Sequence, residues 1–249
     1  MMPAAPFSFA TIVLTMKGTV MNGCKYTHNV FGATSYKFDL LKRSTNKKLG
    51  KWVTKGRHKG KPIYTLHLEV RKNCPSSCYH WDNCYDDNMP FAHRFKYSKS
   101  LMTRLWKELM KLDKKHQQGF LVRLHVGGDF PSVEYVDFWE MALLTFPNLS
   151  CYGYTHHHWN RQPHDISNVG IGWEDEVNIG IAIKGLRDRH WDRFSVRFSD
   201  MLEDKLSANS KELTDNGITC PEQLGKTASC GTCGLCWNKD VKSVLFITH

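Results

Sequence analysis

The sequence has no uninterrupted apolar run approaching the ~20 residues that a membrane-spanning helix needs. It also lacks internal repeats and low-complexity blocks. The apolar stretch 3–16 has no basic segment before it and no clear cleavage site after it, so no signal peptide is expected and the chain is placed in the cytoplasm. In that compartment the nine cysteines do not read as a secreted disulfide scaffold. Disorder is excluded as well: 41% of the 249 residues are hydrophobic and 12% aromatic, enough for a sizeable core.

Acid is missing where it matters most. Between residues 42 and 61 there are nine Lys and Arg and no Asp or Glu, against a net charge of +10 for the whole chain. The basic residues are Lys42, Arg43, Lys47, Lys48, Lys51, Lys55, Arg57, Lys59 and Lys61, with Trp52 and His58 among them. Gly50, Gly56 and Gly60 point to a loop or β-ribbon. Basic groups with an interleaved aromatic suit a phosphate backbone and one stacked base. The expected partner is therefore DNA, RNA or a phosphate-bearing nucleotide. A solvated surface loop is the plainer alternative.

Periodicity predicts strands over 63–70, 120–126, 149–154, 177–184, 194–199 and, at the C-terminus, 244–248. Helices are expected over 98–118, stopped by Gly119, from Ser132 to about Thr145, and over 201–212, where acidic and basic residues alternate. Strands alternating with helices predict a largely parallel α/β sheet. Chemistry in such sheets sits at the carboxyl ends of the strands. The unusual residues follow strands in that position.

The first such group is Cys74, Cys78 and Cys84. Three thiols leave one coordination position open, as an iron–sulfur cluster that binds a ligand at its fourth iron requires, or a catalytic zinc. His80 or a remote residue is the alternative filler. The second group is Cys220 with Cys230, Cys233 and Cys236, two overlapping Cys-x-x-Cys steps that form a tight knuckle. Cys220 or His249 completes four ligands. A structural zinc is expected there, with a second iron–sulfur cluster as the rival. Cys24 and Cys151 are left over, the latter as plain core.

Other residues mark the same rim. Gly127-Gly128-Asp129 follows a strand, so the backbone can approach a ligand and Asp129 can take an amine or a ribose hydroxyl. A tight turn is the plainer reading. His125 alternates with the inward positions of its strand and is expected to reach the interior. Of His156, His157 and His158, at most two can share a site, because neighbours on a strand point apart. Asp200, near Arg197, is either a salt-bridge partner or a catalytic carboxylate.

The order of these features resembles the radical S-adenosylmethionine (SAM) superfamily. A cysteine triad follows the first strand, a Gly-Gly-acid turn the second, and Tyr154-Thr155-His156 the third. The resemblance implies a partial or complete (β/α) barrel of radical-SAM or TIM type, with the Cys-rich metal knuckle at its C-terminus. It implies a [4Fe–4S] cluster on Cys74, Cys78 and Cys84, with SAM held by Gly127, Gly128, Asp129 and Thr155. More narrowly, the chain resembles a group of uncharacterised phage-encoded proteins. The matching pieces are Asn46–Gly50, Cys74–Tyr85, Arg123–Phe130, Tyr152–Thr155 and Ser229–Trp237. Two features depart from the superfamily. The cysteines are spaced three then five, with Tyr85 after the last, and the acid is Asp rather than Glu.

Three functions follow as expectations. The first is a radical-SAM-like enzyme modifying a nucleic acid base or nucleotide, with Lys47, Lys48, Lys51, Trp52, Lys55, Arg57, Lys59 and Lys61 gripping phosphates. The second is a zinc-containing base-exchange transglycosylase, with Asp129 or Asp200 as nucleophile, His125 as a further catalytic candidate, and Cys230, Cys233, Cys236 and His249 on zinc. The third is a non-enzymatic, zinc-stabilised nucleic-acid-binding protein. The expected organisation is a basic N-terminal segment over 1–62, a barrel core over 63–212 and a metal-binding tail over 213–249.

Overall fold

The computed structural model describes residues 23–162 and 170–247. Among the described residues, ten short strands and four α-helices make an α/β architecture. The strands are β1 (Val30–Phe31), β2 (Lys42–Arg43), β3 (Ile63–Thr65), β4 (Arg94–Phe95), β5 (Phe120–Arg123), β6 (Leu149–Thr155), β7 (Phe194–Phe198), β8 (Ala208–Ser210), β9 (Ile218–Thr219) and β10 (Val244–Phe246). The helices are α1 (Lys99–Lys115), α2 (Val133–Thr145), α3 (Trp173–His190) and α4 (Cys230–Cys233).

The central sheet has the order β2-β3-β5-β6-β7. The last four strands are parallel and laid down in chain order, while β2 pairs antiparallel with β3 at one edge. Sequential parallel order without reversal is how a (β/α) barrel begins. It does not close here. Among the described residues the sheet ends at β7, and only a bridge between Ser199 and Ala208 leads on to a separate three-stranded sheet, β8-β10-β9. A complete barrel is therefore replaced by an open sheet with a small parallel sheet beside its last strand.

Helices α1, α2 and α3 cover one face. Leu101, Leu105 and Leu109 of α1 recur at intervals of four and are fully buried, while Ser98 caps the helix by accepting the Leu101 N–H at 3.2 Å. Ser132 caps α2 in the same way, and α2 buries Tyr135, Val136, Trp139, Ala142 and Leu143.

Two expected elements differ. The strand predicted over 177–184 is the middle of α3. Its Ile and Val residues suggest alternation, but the buried positions Glu176, Ile179, Gly180, Ile183, Leu186 and Arg187 follow the helical period. Acids in the first turn and bases in the last complement the helix dipole. The helix predicted over 201–212 is instead a turn leading into β8. Asp204 is drawn inward there by a two-bond ion pair with Arg187, at 2.6 and 3.1 Å.

The basic segment does not stand apart as an arm. Val53 and Ile63 pack with Leu121, Tyr152 and Trp237 of the Cys-rich tail. The carbonyls of Lys48 and Leu49 accept the N–H groups of Cys230 and Gly231 at 2.7 and 3.0 Å. The segment and the knuckle form one structural unit. No described helix is long and apolar enough to cross a membrane.

Candidate functional site

The carboxyl ends of β3, β5, β6 and β7 open onto one cavity of about 250 Å³. Its lining includes Cys74, Cys78 and Cys84 from the loop after β3, Arg123 and 125–129 from the end of β5, and Tyr154 and His156 from β6. Ser199 and Asp200 follow β7, and Cys220, Cys230 and Cys236 come from the tail. Two cysteine sets separated by more than 130 residues thus face the same space.

Two buried arginines hold the first cysteine loop. Arg71 adopts a left-handed backbone (φ 63°) that aims its N–H at the Cys74 sulfur, 3.3 Å away. Its guanidinium grips Asp87 at 2.7 Å and the Trp81 carbonyl. Arg94 pairs with Asp86 at 2.5 Å and also reaches the Met89 carbonyl. Non-glycine residues with positive φ are uncommon. The other two among the described residues, His125 (48°) and Asp200 (53°), also lie at strand ends on this rim. Backbone strain is thus concentrated at the cavity.

Burial pushes the thiols of Cys74 and Cys84 up, the latter to about 12. Cys230, Cys233 and Cys236 are raised by the same cause. Thiols packed together and kept neutral by burial become ligands when a cation supplies the missing charge. The second set encloses a separate cavity of about 10 Å³, walled by Cys220, Cys230, Cys233 and Cys236, room for a single ion. Its donor set is one that zinc takes, but no three of its sulfurs lie within 4.8 Å of one another, so they would have to draw in to the ~3.8 Å of a zinc-bound tetrahedron. Cys74, Cys78 and Cys84 are likewise spread. They face the larger space, as the wider tetrahedron of a four-iron cluster requires. The tail is locked by Arg197 of β7, which donates to six main-chain carbonyls, those of Ser207, Leu235, Cys236, Asn238, Val241 and Lys242. Tyr154 donates to the Cys236 sulfur at 2.8 Å.

Several expected residues take definite places. Asp129 is a clamp: Oδ1 accepts from the Phe130 N–H and the Thr155 hydroxyl, and Oδ2 from the His156 N–H, all at 2.8 Å. Thr155 is fully buried beneath the rim, and its hydroxyl is committed to that clamp. The glycines fit the packing of the protein itself. A Cβ on Gly127 would collide with Asp86 Oδ1, and one on Gly128 (φ 79°) would meet the Leu68 main chain at 3.0 Å. His125 lines the cavity with its ring 3.2 Å from the Tyr135 hydroxyl of α2, and burial holds it well below its ordinary pKa. Of the three consecutive histidines only His156 lines the cavity. His157 donates to the Phe130 carbonyl and His158 to that of Ser199. Asp200 does not pair with Arg197; it meets His80 at 3.3 Å and His156 at 3.6 Å. His249 lies outside the described residues.

Replacing Asp129 by Asn sets an amide donor against one of the three donors it now receives. D129N is expected to lose about 1–3 kcal/mol in urea unfolding. A variant as stable as wild type would show that the clamp contributes nothing.

Arg123 was not foreseen as a site residue. One nitrogen of its guanidinium hydrogen-bonds the Leu124 carbonyl, and the group lies over the Tyr154 ring at 4.6 Å. No carboxylate among the described residues forms an ion pair with it. A largely buried cation that opens on a cavity is suited to an anionic ligand or a thiolate-bound centre.

A family model described as gene product 88 matches residues 39–239. The chain belongs to the gene product 88 family. That phage-type family carries no assigned function, and the match takes in the basic segment, both cysteine sets and the whole rim. No curated protein and no solved structure matches the chain.

Proposed function

We propose that this member of the gene product 88 family is an iron–sulfur enzyme of radical-SAM type that modifies a nucleic acid base or a nucleotide. The observation that carries the reading is the single cavity at the carboxyl ends of four sequential parallel strands, with a three-cysteine loop after the first. Cys74, Cys78 and Cys84 would hold the cluster. Reduced by an external one-electron donor, such a cluster would supply the electron for radical chemistry on SAM. The chain's own residues supply the setting. Arg71 and Arg94 fix the cysteine loop, Arg123 meets an anionic group, and Asp129 holds the His156 backbone at the rim. Cys220, Cys230, Cys233 and Cys236 take zinc and close the far wall.

A base-exchange transglycosylase needs an unencumbered carboxylate as nucleophile. The three donors on Asp129 count against it in that role and leave Asp200 as the candidate.

Reconstitution with iron and sulfide under anaerobic conditions tests the proposal. The expected result is a brown protein whose reduced cluster changes its electron paramagnetic resonance spectrum when SAM is added. C74A, C78A and C84A should each lose the signal. A protein that stays colourless after reconstitution contradicts the reading.

The nucleic-acid side rests on Lys47, Lys51, Lys55 and Lys59, all exposed on one segment beside the knuckle, while Arg57 pairs with Asp192 and the Trp237 carbonyl. Exposed Trp52 lies there too, stacked at 3.8 Å on Arg43. Replacing Lys47, Lys51, Lys55 and Lys59 by Gln should flatten the log–log salt dependence of duplex DNA binding by roughly 0.9 for each phosphate that is no longer neutralised. An unchanged slope places the nucleic acid elsewhere.

A further inference from the structure

Besides the two cysteine sets, the cavity carries a third cluster of potential ligands. We propose that His80, His156 and Asp200 form a mononuclear metal site for a divalent ion of the iron or zinc type, beside the first cysteine set. The Cys78 thiol of that set lies against His156. Their donor atoms lie within 4.8 Å of one another, and among the described residues no other three His, Cys, Asp or Glu donors do so. The three residues come from different parts of the chain: the loop after β3, the end of β6 and the end of β7. The fold itself brings them together.

The donor atoms converge on one point: Asp200 Oδ2 lies 3.3 Å from His80 Nε2 and 3.6 Å from His156 Nε2. Asp200 Oδ2 and His156 Nε2 are both buried, and neither meets a partner with hydrogen-bond geometry. The Asp200 side chain is only 7% exposed. Contacts of 3.3 and 3.6 Å are loose for a buried charge pair, and a cation at the common point would satisfy the carboxylate and both imidazoles together. The surroundings fix each ligand. Asp200 Oδ1 accepts the Ser210 N–H at 2.6 Å, which helps to hold the residue in its left-handed conformation. The Ser210 hydroxyl lies 2.9 Å from His80 Nε2. Asp129 fixes the His156 backbone at 2.8 Å. The two imidazoles stand nearly perpendicular, with ring centroids 5.5 Å apart.

Two imidazoles and one carboxylate facing a cavity leave coordination positions for water and substrate. This is the donor set of non-haem Fe(II) sites and of some catalytic zinc sites. The site draws no ligand from the cysteine triad, so the two can fail separately.

Cobalt(II) tells the sites apart, because thiolate-bound cobalt has an intense sulfur-to-metal charge-transfer band and a His₂-carboxylate site has only weak ligand-field bands. The zinc-loaded chain is titrated anaerobically with cobalt(II), as wild type, H80A, D200N and the triple variant C74S/C78S/C84S. The expected result is one equivalent that develops ligand-field bands without charge transfer. It is retained in the triple cysteine variant and weakened by more than about a hundredfold in D200N and H80A. His80 is 28% exposed on a loop, so H80A keeps the test open if D200N fails to fold. If wild type takes up no such equivalent, the cluster is an ion-pair network and the proposal is overturned. Retention in H80A with loss in the cysteine variant overturns it too.

Discussion

Replacing Arg197 by Met is expected to release the Cys-rich tail and to cost more than about 4 kcal/mol in urea unfolding. Hydrogen bonds to charged groups each contribute about 1.5–3 kcal/mol, and a buried acceptor that loses its donor bears the desolvation cost. Arg197 serves six carbonyls at once and is fully buried. Methionine matches its length but donates nothing. Losses of this size arise from few mechanisms, and breaking a buried polar network is one. Proteolysis should then cleave after β9, and zinc should exchange rapidly with a chelator. Lys at this position has three donors and should restore part of the stability. A Met variant within about 1 kcal/mol of wild type would mean that water or other groups can satisfy those carbonyls.

Gly127→Ala is expected to cost about 3–5 kcal/mol and to displace the first cysteine loop. The new Cβ would collide with Asp86 Oδ1 and stand 2.8 Å from its Cγ. Asp86 cannot yield freely, because it is buried against Arg94 in a 2.5 Å pair, and opening such a pair leaves an uncompensated charge. Asp86 also lies two residues after Cys84, so its movement carries the third thiol away from the cavity. The expected readouts are a lowered urea midpoint and reduced iron uptake by a chain that still holds zinc. Gly127→Ala with normal stability and iron uptake would show that the loop has slack.

These two residues also show what the sequence could and could not reveal. The Gly-Gly-Asp turn stands out in the sequence as a place of close approach. What approaches is only visible in three dimensions: Asp86, forty-one residues earlier, against Gly127. Asp129 invites assignment to a ligand because its partners, Thr155 and His156, are strangers in sequence. The cysteine sets are legible because their members lie close together in the chain; that both face one cavity is not. Capped, regularly spaced helices such as α1 and α2 announce themselves. α3 does not, because its buried face includes Glu176 and Arg187, which break the apolar stripe, and its Ile residues favour strands intrinsically. The basic segment was legible as charge, but its anchorage to the knuckle depends on main-chain bonds from Lys48 and Leu49, to which side-chain identity gives no clue.

The central claim is that two cysteine centres border one cavity and hold different metals. Metal analysis of the anaerobically reconstituted chain tests it most directly, with wild type compared to C74A/C78A/C84A and to C230A/C233A. The account predicts a cluster's worth of iron and sulfide together with zinc in wild type. The first variant should lose the iron and sulfide but keep zinc, and the second should lose the zinc. Zinc alone in wild type, with no iron or sulfide retained after reconstitution, would contradict it.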